Sequence, residues 1–520
     1  MYRSNSASEV GSHCLNRAQS QLVNLGLLVL TLALLVLPPQ AHGDNAPPGD
    51  PTSEDLQIGE LLSLEDCISL AFAHNLQHLS DRQSLVGSRA RYQQAHSPFA
   101  IDANLSLTAP SYLETRDTFD SEALLQRFQE ENTTLHYETQ LELSRRIDRV
   151  GRFSVRSTGF RRDFDSNRRE NFLEYFGDLD LQFQRDLLST PTDEIGLRQA
   201  ELNLSISGST LERRELLLER DVSNTYFDLV RSIHQLEIQQ QRLQQAAAAL
   251  TLAQKKYEIG LIAEVEALRL QVEKLNAEAT FAQAETEIER RRDLLRNMIG
   301  LDQLAPVNVN TDVQAERLVI DEERAVELGL EHRSDIFEAE LREQISTLDL
   351  ERRKDQAELS ASVVAGVTLR GRGPEPGDVS DSFERSRVMA LLRIGLPVVD
   401  SGWRQGQVRQ GEAALEQSRL GRQMQRQQVI LDIRDAVRNV REAERQIDLR
   451  EASLKVTERQ YEVEQARFEL GIGDSQELLD AQTTLTSART EALEAVINYR
   501  RALQSLRVAT MSDLSELEQG

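Results

Sequence analysis

Apolar positions follow two rules along this chain. Over long stretches they return every seven residues, and between those stretches short runs alternate apolar and polar one residue at a time. Before Gly471 the seven-residue series is Ile433, Val440, Ile447, Leu454, Tyr461 and Phe468; before Gly260 it is Val222, Leu229, Leu236, Leu243, Leu250 and Tyr257. The two series lie 211 positions apart, and the same offset lays residues 467–482 on 256–271 without a gap. The chain is therefore an internal duplication, in which each copy is a unit that needs its neighbour to bury a face.

A second seven-residue series runs two positions out of phase: Leu449, Val456, Val463 and Leu470 in the second copy, Ile238, Gln245, Leu252 and Ile259 in the first. At about 100° per residue, positions two apart sit roughly 200° apart around a helix. Each long helix thus carries two apolar seams on nearly opposite sides. A two-stranded coiled coil needs one seam, so two opposed seams predict a neighbour on each side, as in a ring or wall of helices.

Taken in order, the pattern predicts a helix over 62–97, with Ser63 as N-cap, Glu65 and Asp66 in its first turn, and Pro98 ending it. The period then falls to two at 101–109, 135–143 and 179–183 in the first copy and at 360–369 and 388–399 in the second, the signature of strands with one apolar face. Roughly ten-residue alternating segments are what a transmembrane barrel shows, and a soluble sandwich shows the same alternation. Long helices follow at 197–258 and 405–469, broken by Gly260 and Gly471, with return helices at 263–298 and 475–509. A shorter helix at 321–354 opens the second copy, where Ala325-Val326-Glu327-Leu328 parallels Cys67-Ile68-Ser69-Leu70. The resulting expectation is a mainly α protein with β: duplicated long coiled-coil helical hairpins walling an α-barrel, plus strands. Its divisions are 62–310 for the first repeat, 311–510 for the second and 511–520 for a C-terminal tail.

Residues 22–37 form the one long apolar run. With Arg3 and Arg17 before it and Ala41 and Gly43 after it, 1–43 reads as a secretory signal peptide cleaved near Gly43, with a single membrane anchor as the alternative. Residues 44–61 read as a polar, Pro-rich linker. Of the two cysteines, Cys14 precedes the apolar run, so Cys67 is left without an intramolecular partner. The net charge of −25 argues against nucleic acid as a partner, since phosphate binding requires basic groups. Arginines crowd 145–169 (Arg145, Arg146, Arg149, Arg152, Arg156, Arg161, Arg162, Arg168, Arg169) with no counterpart in the second copy; an exposed loop or extra hairpin is the reading preferred over an anion-selective surface.

With these elements in place the sequence resembles the TolC-type outer-membrane efflux proteins. The resemblance rests on the opening Leu64-Glu65-Asp66-Cys67-Ile68-Ser69-Leu70-Ala71, the strand end Pro397-Val398-Val399-Asp400-Ser401-Gly402, Ala413 downstream, and the paired joints around Gly260 and Gly471. It implies a homotrimer with four strands per protomer in a twelve-stranded barrel in outer-membrane lipid, and a twelve-helix periplasmic tunnel. It also implies two partners, a periplasmic membrane-fusion adaptor and an inner-membrane transporter. The resemblance places Gly260, Leu261, Gly471 and Ile472 at the adaptor-contacting turns, and Glu477 and Asp480 at the pore constriction, where threefold rings of acid select cations. A plain solvated helix face is the other reading of that pair. The equivalent first-copy residues are Glu266 and Arg269. Two departures stand out: the first copy holds more strand-like sequence than two strands need, with 135–164 an extra hairpin or an external loop, and Arg185-Asp186-Leu187-Leu188-Ser189-Thr190-Pro191 lacks the Pro and Gly positions of the second strand end.

No phosphate-cradling loop, paired-Cys motif or nucleophile elbow occurs, so neither catalysis nor a cofactor is expected. His74 and His78 have the spacing of two metal ligands on a helix but lack the intervening Glu of a zinc protease, and no metal is expected there. The function expected is a passive outer-membrane tunnel of a tripartite efflux or type I secretion system; the alternative is a periplasmic coiled-coil scaffold without a pore.

Overall fold

The structure, a computed structural model, describes residues 61–516 apart from 122–125, 168–169, 189, 303, 313–316 and 397. The expected signal peptide, all of the linker but Leu61, Arg168, Arg169, Pro397 and the last four residues of the tail lie outside the described residues.

The first helical stretch divides at Asn75 into α1 (Leu64–His74) and α2 (Leu76–His96). Ser63 caps α1 as its sequence suggests: its hydroxyl accepts from the Asp66 N–H at 3.1 Å, and the Asp66 carboxylate accepts from the Ser63 N–H at 2.9 Å. The division was not legible, because no Pro or Gly marks it. Asn75 takes an extended ψ of 119°, caps α2 by accepting from the Gln77 and His78 N–H groups, and donates its amide to the Met298 carbonyl at 2.8 Å.

Four strands follow, β1 (Asp102–Ser121), β2 (Gln126–Ile147), β3 (Gly151–Ser166) and β4 (Phe172–Asp186), and then the helical hairpin α3 (Thr192–Glu258) and α4 (Glu264–Ile299). The second copy repeats the plan with α5 (Glu322–His332), α6 (Ser334–Ala357), β5 (Ser360–Gly373), the short outer helix α7 (Pro376–Asp381), β6 (Glu384–Gly395), and the hairpin α8 (Trp403–Leu470) and α9 (Ser475–Thr510). The expected single helix over 321–354 is thus also two. Its break, Arg333, has φ −63° and ψ 116°, against φ −64° and ψ 119° at Asn75. The kink is part of the duplication.

All six strands form one antiparallel sheet in chain order, β1 to β6. This corrects the four strands per protomer that the resemblance implied: 135–164 belongs to a true hairpin, β2–β3, and β6 stops at Gly395, short of residue 399. Register rows run unbroken across the sheet. One joins Ala103, Leu143, Val155, Leu181, Val367 and Val388; the next joins Asn104, Glu142, Arg156, Asp180, Thr368 and Arg387. At these rows one face is apolar and the other polar in all six strands.

Near the strands, α2, α3, α6 and α8 lie side by side; towards the glycine joints the order is α4, α3, α9, α8. Position in this order explains the double seams. On α8, an edge helix, the first series is buried at Ile433, Val440, Ile447 and Phe468, whereas Leu449, Val456, Val463 and Leu470 stand exposed. On α3, flanked on both sides, Gln245 and Leu252 of the second series are partly covered. The core lies where α1 crosses α3 and α4, and again where α5 crosses α8 and α9. Cys67 and Ala71 fill the first site, Ala325 and Leu328 the second. Burial, helped by the nearby Asp66 carboxylate, pushes the Cys67 thiol up to about 12, so it serves as a small apolar residue.

At the start of α6 burial pushes the Asp335 carboxyl up. The Arg333 guanidinium, 2.9 Å away through Nε, and the Gln425 amide outweigh that and hold it below the ordinary carboxylate value. A depressed folded-state value gives stability that is complete above the unfolded value and is lost as pH falls through the folded one. The apparent Tm gap between wild type and Asp335→Asn is therefore expected to be flat above the unfolded-state carboxylate value, about 4, and to narrow as pH falls below it; a gap that stays the same at every pH down to acid unfolding would contradict this.

Candidate channel entrance at the helical tips

Both long hairpins turn on a left-handed glycine, Gly260 at φ +74° and Gly471 at φ +79°. A Cβ at either would meet nothing within 4 Å, so the backbone conformation rather than crowding selects glycine there. Leu261 and Ile472 beside them are about two-thirds exposed, as are Ile259 and Leu470. The four turn residues read from the sequence thus sit at two adjacent apolar tips.

The tips are tied to each other. Lys256 is 6% exposed; its ammonium donates to the Phe468 carbonyl at the end of α8 and lies 4.5 Å from the Phe468 ring centroid. A cation at a helix C-terminus and over an aromatic face is favoured on both counts. The Ser475 hydroxyl, at the start of α9, donates to the Glu266 carboxylate, which also pairs with Arg269 at 3.1 Å. Ala253, Ala267, Leu270 and Leu478 pack around Phe468 beneath these ties.

Glu477 and Asp480 lie on the exposed side of α9, while Leu478, Ala481 and Gln482 turn inward. Their three-residue spacing puts them on one face. The Glu477 N–H donates to the Asp474 N-cap at 2.8 Å, and its carboxylate stands 3.4 Å from the Arg467 guanidinium, which Glu464 also holds at 3.0 Å. Asp480 accepts from the Gln476 amide at 2.9 Å. Sequence reasoning missed Lys256 and Arg467. Their signal was present: they are equivalent in the two copies, each basic and four residues before the joint glycine. What the sequence did not carry is that Lys256 turns in while Arg467 meets the acidic face.

His74 and His78 do not form a ligand pair. They fall on different helices, His78 is buried against the Phe72 ring with Glu215 3.9 Å away, and no metal-holding cluster occurs among the described residues. The crowded arginines are mostly paired: Arg146 and Arg152 with Asp193 at 2.9 and 2.8 Å, Arg156 with Glu142 at 3.2 Å, Arg161 with Asp163 at 2.6 Å. Arg145 donates to the Phe99 carbonyl at 3.2 Å. They brace the added hairpin.

A duplicated pair of long helical hairpins below an amphipathic sheet is the architecture of a periplasmic tunnel joined to an outer-membrane barrel. The family of outer membrane efflux proteins matches the chain at residues 194–301 and 330–510, more than half its length, and the chain belongs to that family. It is an efflux channel component of the outer membrane, extending into the periplasm, and the pore-free scaffold is not favoured. No curated protein matches the chain significantly. Among solved structures it is similar to VceC of Vibrio cholerae, with TM-score 0.65 and 17% identity over 87% of this chain and 96% of that one. It is also similar to the CmeC channel of Campylobacter jejuni, at 0.64 and 14% over 87% of each. The open state of the Neisseria gonorrhoeae MtrE channel matches at 0.60 and 15%, over 88% of this chain and 91% of that one. At such identities the likeness is one of fold.

Proposed function

We propose that three copies of this chain form a passive conduit whose tips meet a periplasmic adaptor and, through it, an inner-membrane transporter. The observation that carries this reading is the pair of open edges. β1 and β6 each have one strand neighbour, and the outermost tip helices bear bare apolar series, Val265, Leu268, Val272 and Leu275 on α4 and Leu449 to Leu470 on α8. Unpaired strand edges and exposed heptad seams invite another chain. A second copy set against each edge pairs β6 with β1 and α8 with α4, and repetition closes a ring.

In this reading Gly260, Leu261, Gly471 and Ile472 are the adaptor-contacting turns, and Glu477 and Asp480 ring the narrowest point. Energy and substrate choice, in this reading, reside in the transporter. Native mass spectrometry in detergent is expected to give a three-chain mass, and planar bilayers a small, cation-selective conductance. A detergent-free monomer without conductance would sink the proposal.

A further inference from the structure

The hairpin β2–β3 is additional to the four strands that a twelve-stranded trimeric barrel requires. Three placements exist for it: standing above the membrane, folded into the lumen, or within the wall. The register decides. In the apolar row Ala103–Leu143–Val155–Leu181–Val367–Val388, the hairpin supplies Leu143 and Val155 in line with the strands on either side. In the adjoining polar row it supplies Glu142 and Arg156, bonded to each other at 3.2 Å, flanked by Asp180, to which Thr368 donates. A hairpin in the lumen would face Leu143 and Val155 into water and break two continuous ladders; one above the membrane would have no reason to keep the apolar face in step.

The ends of the hairpin fit a membrane as well. Towards the periplasm, the Phe153 and Phe183 rings on the apolar face lie 4.7 Å apart, and the turn below them is held by Arg146 and Arg152 on Asp193, in the first turn of α3. Towards the exterior, Arg161 sits between Tyr137 and Tyr175, 5.6 and 6.0 Å from their ring centroids. Aromatic rings and a long cation are what a lipid interface selects. From Phe153 to Arg161 is eight residues, about 26 Å along a strand, or about 20 Å of height at a tilt near 40°. That is close to the apolar band of about 25 Å that such barrels present.

We infer that β2–β3 is part of the lipid-facing wall, so that three copies close an eighteen-stranded barrel above a tunnel of twelve helices. This rests on the trimeric channel proposed above. Barrel diameter grows roughly in proportion to strand number, so the outer segment is about one and a half times as wide as a twelve-stranded one. The strand segment is then wider than the helical one, and the restriction on flow lies at the helical tips.

Spin labels at single cysteines test the placement. Cys67 is fully buried and is left in place. Leu141→Cys and Val155→Cys on the apolar face, and Gln140→Cys and Ser154→Cys on the polar face, are compared with Leu181→Cys and Gln182→Cys on β4 as references. Labelled protein in lipid vesicles is expected to favour oxygen over a nickel chelate at 141, 155 and 181, and the reverse at 140, 154 and 182, with a three-chain mass in detergent. Nickel preference at all four hairpin positions, with oxygen preference kept at 181, would place the hairpin outside the wall and overturn the inference while leaving the channel intact. Loss of oxygen preference at 181 itself, or a mass other than three chains, would overturn both.

Discussion

Glu477→Ala combined with Asp480→Ala is expected to raise single-channel conductance and to move half-block by calcium or magnesium upward by at least about tenfold in concentration, or about 1.4 kcal/mol of binding free energy. In a threefold ring the two carboxylates on the open side of α9 give six acids around one axis, a site that attracts cations and holds divalents. The single variants are expected to be unequal. The Arg467 guanidinium already stands 3.4 Å from Glu477, so Glu477→Ala removes a partly neutralised charge, and Asp480→Ala removes one whose hydrogen-bond partner is the neutral Gln476 amide. Arg467→Gln should act in the opposite direction, freeing Glu477 and tightening divalent block. Bilayer recordings across a calcium titration check all four variants; identical block in wild type and the double variant would move the constriction away from these residues.

Gly300→Ala is expected to cost about 3 kcal/mol and to abolish most of the folded yield. Gly300 ends α4 at φ +73°, and a Cβ there would lie 2.5 Å from the His74 carbonyl oxygen and 2.6 Å from its carbon. Backbone conformation alone does not account for the glycine, because the equivalent residue in the second copy is Met511, also left-handed at φ +52°. The close approach of α1 to the end of α4 does. Gly260→Ala supplies the contrast. It has the same backbone sign with open space around it, so it should lose only the left-handed cost, about 1–2 kcal/mol. Thermal melts of the two variants beside wild type separate crowding from conformation, and equal losses would mean that the His74 carbonyl plays no part.

The long helices were legible because a seven-residue series sustained from Val222 to Tyr257 fits a supercoiling helix and no strand, and because it occurs twice. In the second copy β5 was legible because Ser360 to Leu369 alternates apart from Val364, whereas β6, set four residues earlier than its apolar run suggests, was found only in part. β3 was not, since its apolar face carries Gly159 and Arg161 while Phe160 and Phe164 occupy the polar one, and only pairing with β2 and β4 fixes which face is which. The Phe160 and Phe176 rings stack at 4.5 Å on that polar face, out of step with simple alternation. At the tips, residue type identified the acidic pair but not its setting. The repeat sets Lys256, matched by Arg467, apart from Lys255, matched by Ala466, but only the closeness of α8 turns it into a buried cap on Phe468. The helix breaks at Asn75 and Arg333 depend on contacts more than 170 residues away, Met298 for the first and Ala509 for the second, which no local pattern records.

The bare apolar series on the two edge helices are unlike: α8 spaces its residues strictly by seven, at 449, 456, 463 and 470, whereas α4 sets them at 265, 268, 272 and 275. A chain with unlike edges has no built-in twofold self-pairing, so growth is head to tail. Joining two chains leaves as much raw edge as one chain had. The closing chain alone satisfies both ends, and its second contact forms within a single assembly, at an effective concentration in the millimolar range. Open arcs are therefore short-lived where chains are plentiful. An orphan chain keeps the outer edges of β1 and β6 open, the kind of edge from which strand aggregation starts, so balanced supply of copies at the membrane is as much a condition for solubility as for the pore itself.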